Sequence, residues 1–376
     1  MTETKEIIDE IYPEIMNMDS CYKEIKNDMN IMDIVRLLSP GTELRNGLDE
    51  ILNGNIGGLV ILGTNIILES IIKGGFRLDI EFNSHRLFEL AKMDGAIILS
   101  NDLKKIVYAN IHLMPDKTVS SVETGIRHRS GEQTSKQTSL PVVAISKRRG
   151  VITLFYKSQR YIIKDIGLLL TKASHSLKSL NNYRIQIDSA LDNLTYYELN
   201  NSVSLEDAIK IIQKVIFLYK HQHELEKIIL ELGTEGKEIK QSMFEYTSGL
   251  EAELKLLIMD YSINSENINE FIKSLKRRNI TELSETRTLA NELGFDKTIS
   301  LEDKVSPKGF RILSKIPKLN KSVIEGIVNK GKTLENILSL SEKELAKNNN
   351  MSEKQAKLIK DRLEKINESI LNKTYK

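Results

Sequence analysis

Two patterns of apolar residues divide the chain. Short apolar runs bounded by glycine or charge fill the first part: Gly57–Gly63, Ile97-Ile98-Leu99, Ile106–Ala109, Val142–Ser146 and Val151–Phe155. Runs of three to seven such residues, set off by turns or charge, predict buried strands. Between them, Leu44, Leu48, Ile51 and Leu52 share a helical face that starts after the turn Ser39-Pro40-Gly41-Thr42, and Leu87, Phe88, Leu90 and Ala91 do the same within residues 85–93. Ile7, Ile8, Ile11 and Ile15 predict helix over residues 1–30, broken by Pro13. Residues 1–160 are therefore expected to form a mixed α/β domain. A long-period pattern follows, with no proline between Val142 and Ser306. Ile166, Leu169, Leu170, Ala173, Leu177, Leu180, Ile187, Leu191 and Leu194 fall on one stripe, which predicts a single long helix. Ser204-Leu205-Glu206-Asp207 has the form of an N-terminal capping box with Asp in place of Glu, opening a second helix toward Gly233. Residues 161–306 thus read as an all-α spine, with Met243 and Phe244 as core. From 307 to 376 the helices shorten. Ala356, Ile359, Leu363 and Ile366 share the inner face of the last one, with lysines opposite. Short helices, tight turns and outward cations suit paired helix-hairpin-helix units, which offer helix N-terminal N–H groups to DNA phosphates.

Composition narrows the class. At 376 residues the chain is too long for one comfortable core. The first twenty residues are acidic and lack the apolar stretch of a signal peptide, and no run of about eighteen apolar residues could span a membrane. The single cysteine, Cys21, excludes an internal disulfide and a cysteine-based zinc cluster. A soluble, cytoplasmic protein is expected. The net charge of +2 conceals an asymmetry: residues 307–376 carry 16 Lys+Arg against 8 Asp+Glu, and the rest 38 against 44. A basic tail on an acidic body suggests different partners for the two parts, although a lysine-rich solvated helical domain has the same composition.

Candidate chemistry gathers at residues 91–100 and 125–132. The first stretch places one carboxylate, Asp94, ahead of Gly95, Ala96 and an apolar run; the second sets Arg127, His128 and Arg129 in what reads as a cationic loop. Magnesium needs only one or two carboxylates beside substrate phosphates, and arginine grips phosphate oxygens in pairs. A lone acid at a strand mouth beside such cations is a minimal kit for metal-assisted chemistry on a phosphate ester. Taken singly, an Asp before a turn glycine is ordinary surface.

In order along the chain stand Ser39-Pro40-Gly41-Thr42, Asp94-Gly95-Ala96, Arg127-His128-Arg129, Ser146-Lys147-Arg148-Arg149, Glu231-Leu232-Gly233-Thr234-Glu235-Gly236 and Gly309-Phe310-Arg311-Ile312-Leu313. With this ordered set the sequence resembles the diadenylate cyclases of the DNA integrity scanning type. The resemblance implies a cyclase domain (1–160), a helical spine (161–306) and a helix-hairpin-helix DNA-binding domain (307–376). It also implies a homo-octamer in which cyclase domains meet face to face, each holding one ATP, and cyclic di-AMP as product. Asp94 would hold Mg2+ or Mn2+. Asp94, Arg127 and Arg129 would act in catalysis. Gly95, Ala96, Leu113, Arg127, His128, Arg129, Ser130 and Ser146 would bind ATP, His128 either donating to a phosphate or holding its loop. Lys315, Lys318, Lys321, Asn350 and Lys354 would face branched or damaged DNA, which would regulate the enzyme; no membrane partner is implied. The alternatives are a DNA-binding scaffold with an idle cyclase domain and a cyclase that has lost DNA sensing. Three departures stand out. Ile126 replaces a threonine, Gln133 replaces an arginine, and Asn350-Met351-Ser352 replaces the Gly-Ile-Gly of the second hairpin.

Overall fold

The computed structural model describes Ile25 and residues 29–263, 267–317, 319–349 and 351–374. Most of the helix expected over residues 1–30, together with Cys21, Lys318 and Asn350, lies outside them. The chain divides into two compact units, one of residues up to Ser174 with Glu226–Lys240, the other of His175–Leu225 with Gln241 onward.

The first unit is a mixed sheet between helices. Its strands are β1 (Gly58–Leu62), β2 (Ile72–Lys73), β3 (Phe76–Glu81), β4 (Ala96–Leu99), β5 (Lys105–Leu113), β6 (Val142–Ser146), β7 (Val151–Tyr156) and β8 (Gln159–Ile163). They run in the order β2-β5-β4-β1-β6-β7-β8, with β3 also paired to β5. Only β1 and β4 are described as a parallel pair; the other pairings are antiparallel. The apolar runs are the central strands, which read as unbroken because both faces are covered. Val60, Leu62, Ile97, Leu99, Val143 and Ile145 pack one way, against α1 (Ile31–Leu37), α2 (Glu43–Asn53) and α4 (Ser84–Ala91). Leu59, Ile61, Ile98, Val142, Ala144 and Phe155 pack the other way, with Leu68 and Ile71 of α3 (Ile66–Ile71). α5 (Ile126–Thr138) lies over that second face, where its Gly131 sits so close that a Cβ would stand 3.0 Å from Leu59 Cδ1. Two quoted motifs also meet in this unit: Thr234 N donates to Pro40 O at 3.2 Å, and Lys164 Nζ to Glu231 Oε1 at 2.7 Å.

Long helices carry the rest. α6 (Ile166–Leu199) is the single helix expected from its stripe, and α7 (Leu205–Leu232) opens on the expected box. There Asp207 N donates to Ser204 Oγ at 3.2 Å and Ser204 N to Asp207 Oδ2 at 3.3 Å. After α8 (Lys237–Thr247), α9 (Leu250–Tyr261), α10 (Ile268–Arg277), α11 (Ile280–Ser284) and α12 (Thr286–Glu292), the last core is built from short helices. These are α13 (Phe310–Ser314), α14 (Lys321–Gly331), α15 (Leu334–Ser339), α16 (Glu342–Asn349) and α17 (Glu353–Thr374). Ile312, Leu313, Ile327, Leu334, Ile337, Ala356 and Ile359 are buried among them.

Candidate active site

Sheet register brings distant residues to one edge. β4 starts at Ala96, just after Asp94 and Gly95, and its parallel neighbour β1 starts just after Gly57. Antiparallel β6 ends there, at Ser146, because Gly58 pairs with Ile145. β5 ends at Leu113 close by, since Ala96 pairs with Ile111. Gly95 is required at this corner: its φ is +122°, and a Cβ would lie 2.7 Å from the carbonyl carbon of Asn110 on β5. The close approach that excludes a side chain here is to the neighbouring strand.

Arg127-His128-Arg129 is not in a loop. It forms the first turn of α5, capped by Gly125 without a side-chain hydrogen bond. That leaves the helix N-terminus, with its outward N–H groups and positive dipole end, facing the edge. Apolar periodicity could not reveal this helix. The face it buries consists of His128, Gly131, Glu132, Thr134, Ser135 and Thr138. From it Arg127 passes over Gly57, and its Nη2 donates to Asp94 Oδ1 at 3.0 Å. The Asp94 side chain is 94% exposed and Arg127 half-exposed, so the pair is weak and can be opened by a ligand.

The remaining candidates differ in their freedom. Arg129 is exposed, and its Nε donates to the carbonyl of Glu123 at 3.2 Å. His128 is 8% exposed and meets Phe155 edge-on at 6.1 Å, while its Nε2 has no hydrogen-bond partner. Burial lowers its pKa, with Glu123 pulling the other way, so the ring is neutral near pH 7. Ser146 Oγ accepts from Arg149 N at 3.1 Å and shapes the β6–β7 turn. Leu113 pairs with Ile72 and packs on the second face of the sheet; Ala96 is buried and Ser130 half-buried. Gln133, where an arginine would be the family's choice, donates its Nε2 to Val119 O at 2.7 Å. It straps the β5–α5 loop to the helix without a charge. Glu123, a buried acid among these arginines, carries no motif that would single it out in the sequence.

A divalent ion fits the donor set. Among the described residues no three His, Cys, Asp or Glu side chains converge on a metal cage. One exposed carboxylate beside cations suits an ion that takes most of its ligands from phosphates and water.

The DNA-facing candidates lie in the second unit. Lys321 is strongly exposed at the start of α14, whose N-cap Asn320 makes no side-chain cap bond. Lys354 is exposed at the start of α17. Lys315 is exposed as a residue but turns its ammonium to Thr195 Oγ1, 3.3 Å away; crowding there, then the Arg311 charge, lowers its pKa. Ser352 forms a reciprocal cap with Gln355: Gln355 N donates to Ser352 Oγ at 3.3 Å and Ser352 N to Gln355 Oε1 at 3.2 Å.

An exposed acid among arginines at the edge of a mixed sheet, followed by long helices and paired hairpins, is the plan of a diadenylate cyclase with an attached DNA-binding module. Residues 45–160 match the family described as DisA bacterial checkpoint controller nucleotide-binding, and residues 163–302 its linker region. Residues 310–365 match the SAM-like helix-hairpin-helix tandem family. The DNA integrity scanning protein DisA of Bacillus mycoides (strain KBAB4) is 39% identical over 342 residues, covering 91% of this chain and 96% of that protein. The DisA protein of Bacillus thuringiensis (strain Al Hakam) is 38% identical over the same shares. The chain belongs to the DisA family of diadenylate cyclases. A solved structure described as a hypothetical membrane spanning protein from Bacillus cereus covers 44% of this chain and 93% of its own at 20% identity, with a TM-score of 0.30. That likeness is too slight to add to the fold. No helix among the described residues is long and apolar enough to cross a membrane.

Proposed function

We propose that the site condenses two ATP into cyclic di-AMP and two pyrophosphate, with the 3′-hydroxyl of each ribose attacking the α-phosphorus of the other nucleotide. At each phosphorus a bond to the 3′-oxygen forms and the bond to the bridging oxygen breaks. Pyrophosphate leaves with the electron pair, and the hydroxyl proton passes to solvent. The observation that carries this reading is the openable pair of Asp94 and Arg127 at the mouth of β1, β4 and β6. Asp94 would hold Mg2+ or Mn2+, which when bound screens the phosphates and activates the hydroxyl. Arg127, Arg129 and the α5 N-terminus receive the triphosphate and the charge that grows at the α-phosphorus, where electrostatic stabilisation matters most. His128, on the buried face of α5 with its Nε2 unpaired, would donate to a phosphate or hold the turn that carries the arginines. Ser130 and Ser146 supply hydroxyls to the phosphates, while Gly95, Ala96 and Leu113 border the nucleotide.

Two substrates reacting symmetrically call for two copies of the site facing one another across a two-fold axis. Val122 and Ile126 are 84% and 88% exposed beside the arginines, an apolar rim suited to a second cyclase domain. The octamer built on such contacts, and a cytoplasmic location, complete the reading. Incubation with ATP and Mg2+ or Mn2+, followed by mass spectrometry, tests the activity. A mass for cyclic di-AMP is expected; ATP left intact under both metals contradicts it.

The DNA role divides between the hairpins. Lys321 and the uncapped start of α14 favour phosphate binding at the first, where Lys318 would add charge, and Lys354 and Asn350 would assist at the second. The Ser352–Gln355 cap favours a second reading, a cyclase with weakened or lost DNA sensing, because it consumes N–H groups that a phosphate would need. A salt titration of four-way-junction binding separates the two. Binding that falls steeply with salt supports a phosphate-reading module, and none at low salt supports lost sensing.

A further inference from the structure

Glu123 lies in the segment joining β5 to α5, and its side chain is 5% exposed. A carboxylate so buried needs compensation, and this one finds it on three elements. Arg160 of β8 brings Nε to 3.0 Å from Oε1, an ion pair without a well-aimed N–H, so that oxygen lacks a hydrogen bond. Arg149, in the turn after β6, brings Nη1 to 3.9 Å from Oε2. Arg129 of α5 donates Nε to the Glu123 carbonyl at 3.2 Å. The backbone is tied separately: Glu123 N donates to Ser121 Oγ at 3.2 Å, and that hydroxyl donates to Glu132, whose other oxygen receives Lys136 Nζ at 2.7 Å.

We propose that Glu123 is a positioning residue for the cyclase reaction, holding Arg129, Arg149 and Arg160 as a preset cationic wall for the triphosphate. This rests on the reading of the site as the ATP site. Like charges gathered around one carboxylate repel, and long side chains left to themselves spread into solvent. Among the described residues, Asp94 pairs with Arg127. Glu123 sets two further guanidinium groups by charge and a third through its carbonyl. A wall arranged before substrate arrives does not have to reorganise during phosphoryl transfer, which is where preorganised charge gains its effect. The same carboxylate limits the grip of the wall, so that pyrophosphate, which bears the charges of the triphosphate it came from, can leave.

Glu123→Gln removes the charge and keeps the shape, while Glu123→Asp keeps the charge. For the Gln variant in its full-length assembly, kcat should fall by at least about tenfold. Its KM for ATP should not rise, and pyrophosphate should inhibit at lower concentration than in the wild type. The Asp variant should recover part of kcat and the wild-type response to pyrophosphate. A merely structural role would lower the folded fraction, scaling apparent kcat without moving the pyrophosphate inhibition constant, and that result overturns the proposal. So does a Gln variant indistinguishable from an active wild type, which leaves the reading of the site intact. A wild type that makes no cyclic di-AMP overturns the reading and this proposal together.

Discussion

Two of the molecule's carboxylate–guanidinium pairs share the same chemistry in opposite surroundings. Asp94 and Arg127 meet at 3.0 Å in the open, on either side of a sheet edge. Arg311 and Glu198 meet where neither side chain has any exposure. Around Arg311 every group is answered: Thr195 Oγ1 accepts at 2.9 Å, Glu253 lies 3.3 Å away, and Tyr261 OH donates to Glu198 at 2.7 Å. Asp260 caps the same helix, α13, taking N–H groups from Gly309, Phe310 and Arg311 at 2.8, 2.6 and 2.9 Å. An exposed pair contributes little stability and exchanges partners readily. A buried one is costly to assemble and costlier to leave half-made. The first arrangement suits a site that must admit a charged ligand, and the second a joint that must not move.

Single substitutions sharpen that contrast. Arg311→Met strands Glu198 without its partner and should cost about 3–5 kcal/mol, read as a lowered denaturation midpoint of the second unit. Unchanged stability would mean that the buried pair is not the joint. Arg129→Ala should leave the midpoint alone but lower kcat by about 100- to 1,000-fold, the scale of losing one stabilising donor at a transition state. Steady-state cyclic di-AMP production measures it, and a loss below about threefold would remove Arg129 from catalysis.

A pH series probes the joint more gently. Burial, then the Glu198 charge, pushes the Asp260 carboxyl up to about 7 against the pull of its N–H donors. An unfolded Asp titrates near about 3.9. Between these values the folded protein keeps a proton that the unfolded chain has released. The stabilisation is therefore complete below about pH 4 and lost as pH rises through 7. The thermal midpoint should fall over that range in the wild type, and Asp260→Asn should flatten the fall; equal slopes would assign it elsewhere. The smallest effect concerns the second hairpin. Ser352→Gly frees the α17 N-terminus at a cost of a few tenths of a kcal/mol, and junction-DNA affinity should rise by about two- to fivefold at low salt. Fluorescence anisotropy decides, and weaker binding would show that the cap serves DNA.

Much of the frame is legible in the apolar pattern. The central strands bury both faces, so their runs stand out, and α6 and the Ser204–Asp207 box follow from stripe and cap chemistry. β3 alternates apolar and polar residues, so no run marks it, and β8 keeps only Tyr161-Ile162-Ile163 between Arg160 and Lys164. α5 is hidden for a different reason. It buries hydroxyls, His128 and Glu132 instead of leucines, its Gly131 lets it lie close on the sheet, and no periodic signal survives. The site was half legible: Asp94 and the arginines are marked by their ordered motifs. Glu123 acquires its meaning only from Arg149, in the turn after β6, and Arg160 of β8, which the fold brings to it from later in the chain.

The most direct test is Asp94→Asn, with ATP binding and product formation measured on the same full-length protein. The variant should bind ATP within a few-fold of the wild type, because Arg127, Arg129 and the α5 N-terminus remain, and should make no cyclic di-AMP with Mg2+ or Mn2+. Turnover near the wild-type rate would contradict the role given to the exposed acid at the strand mouth.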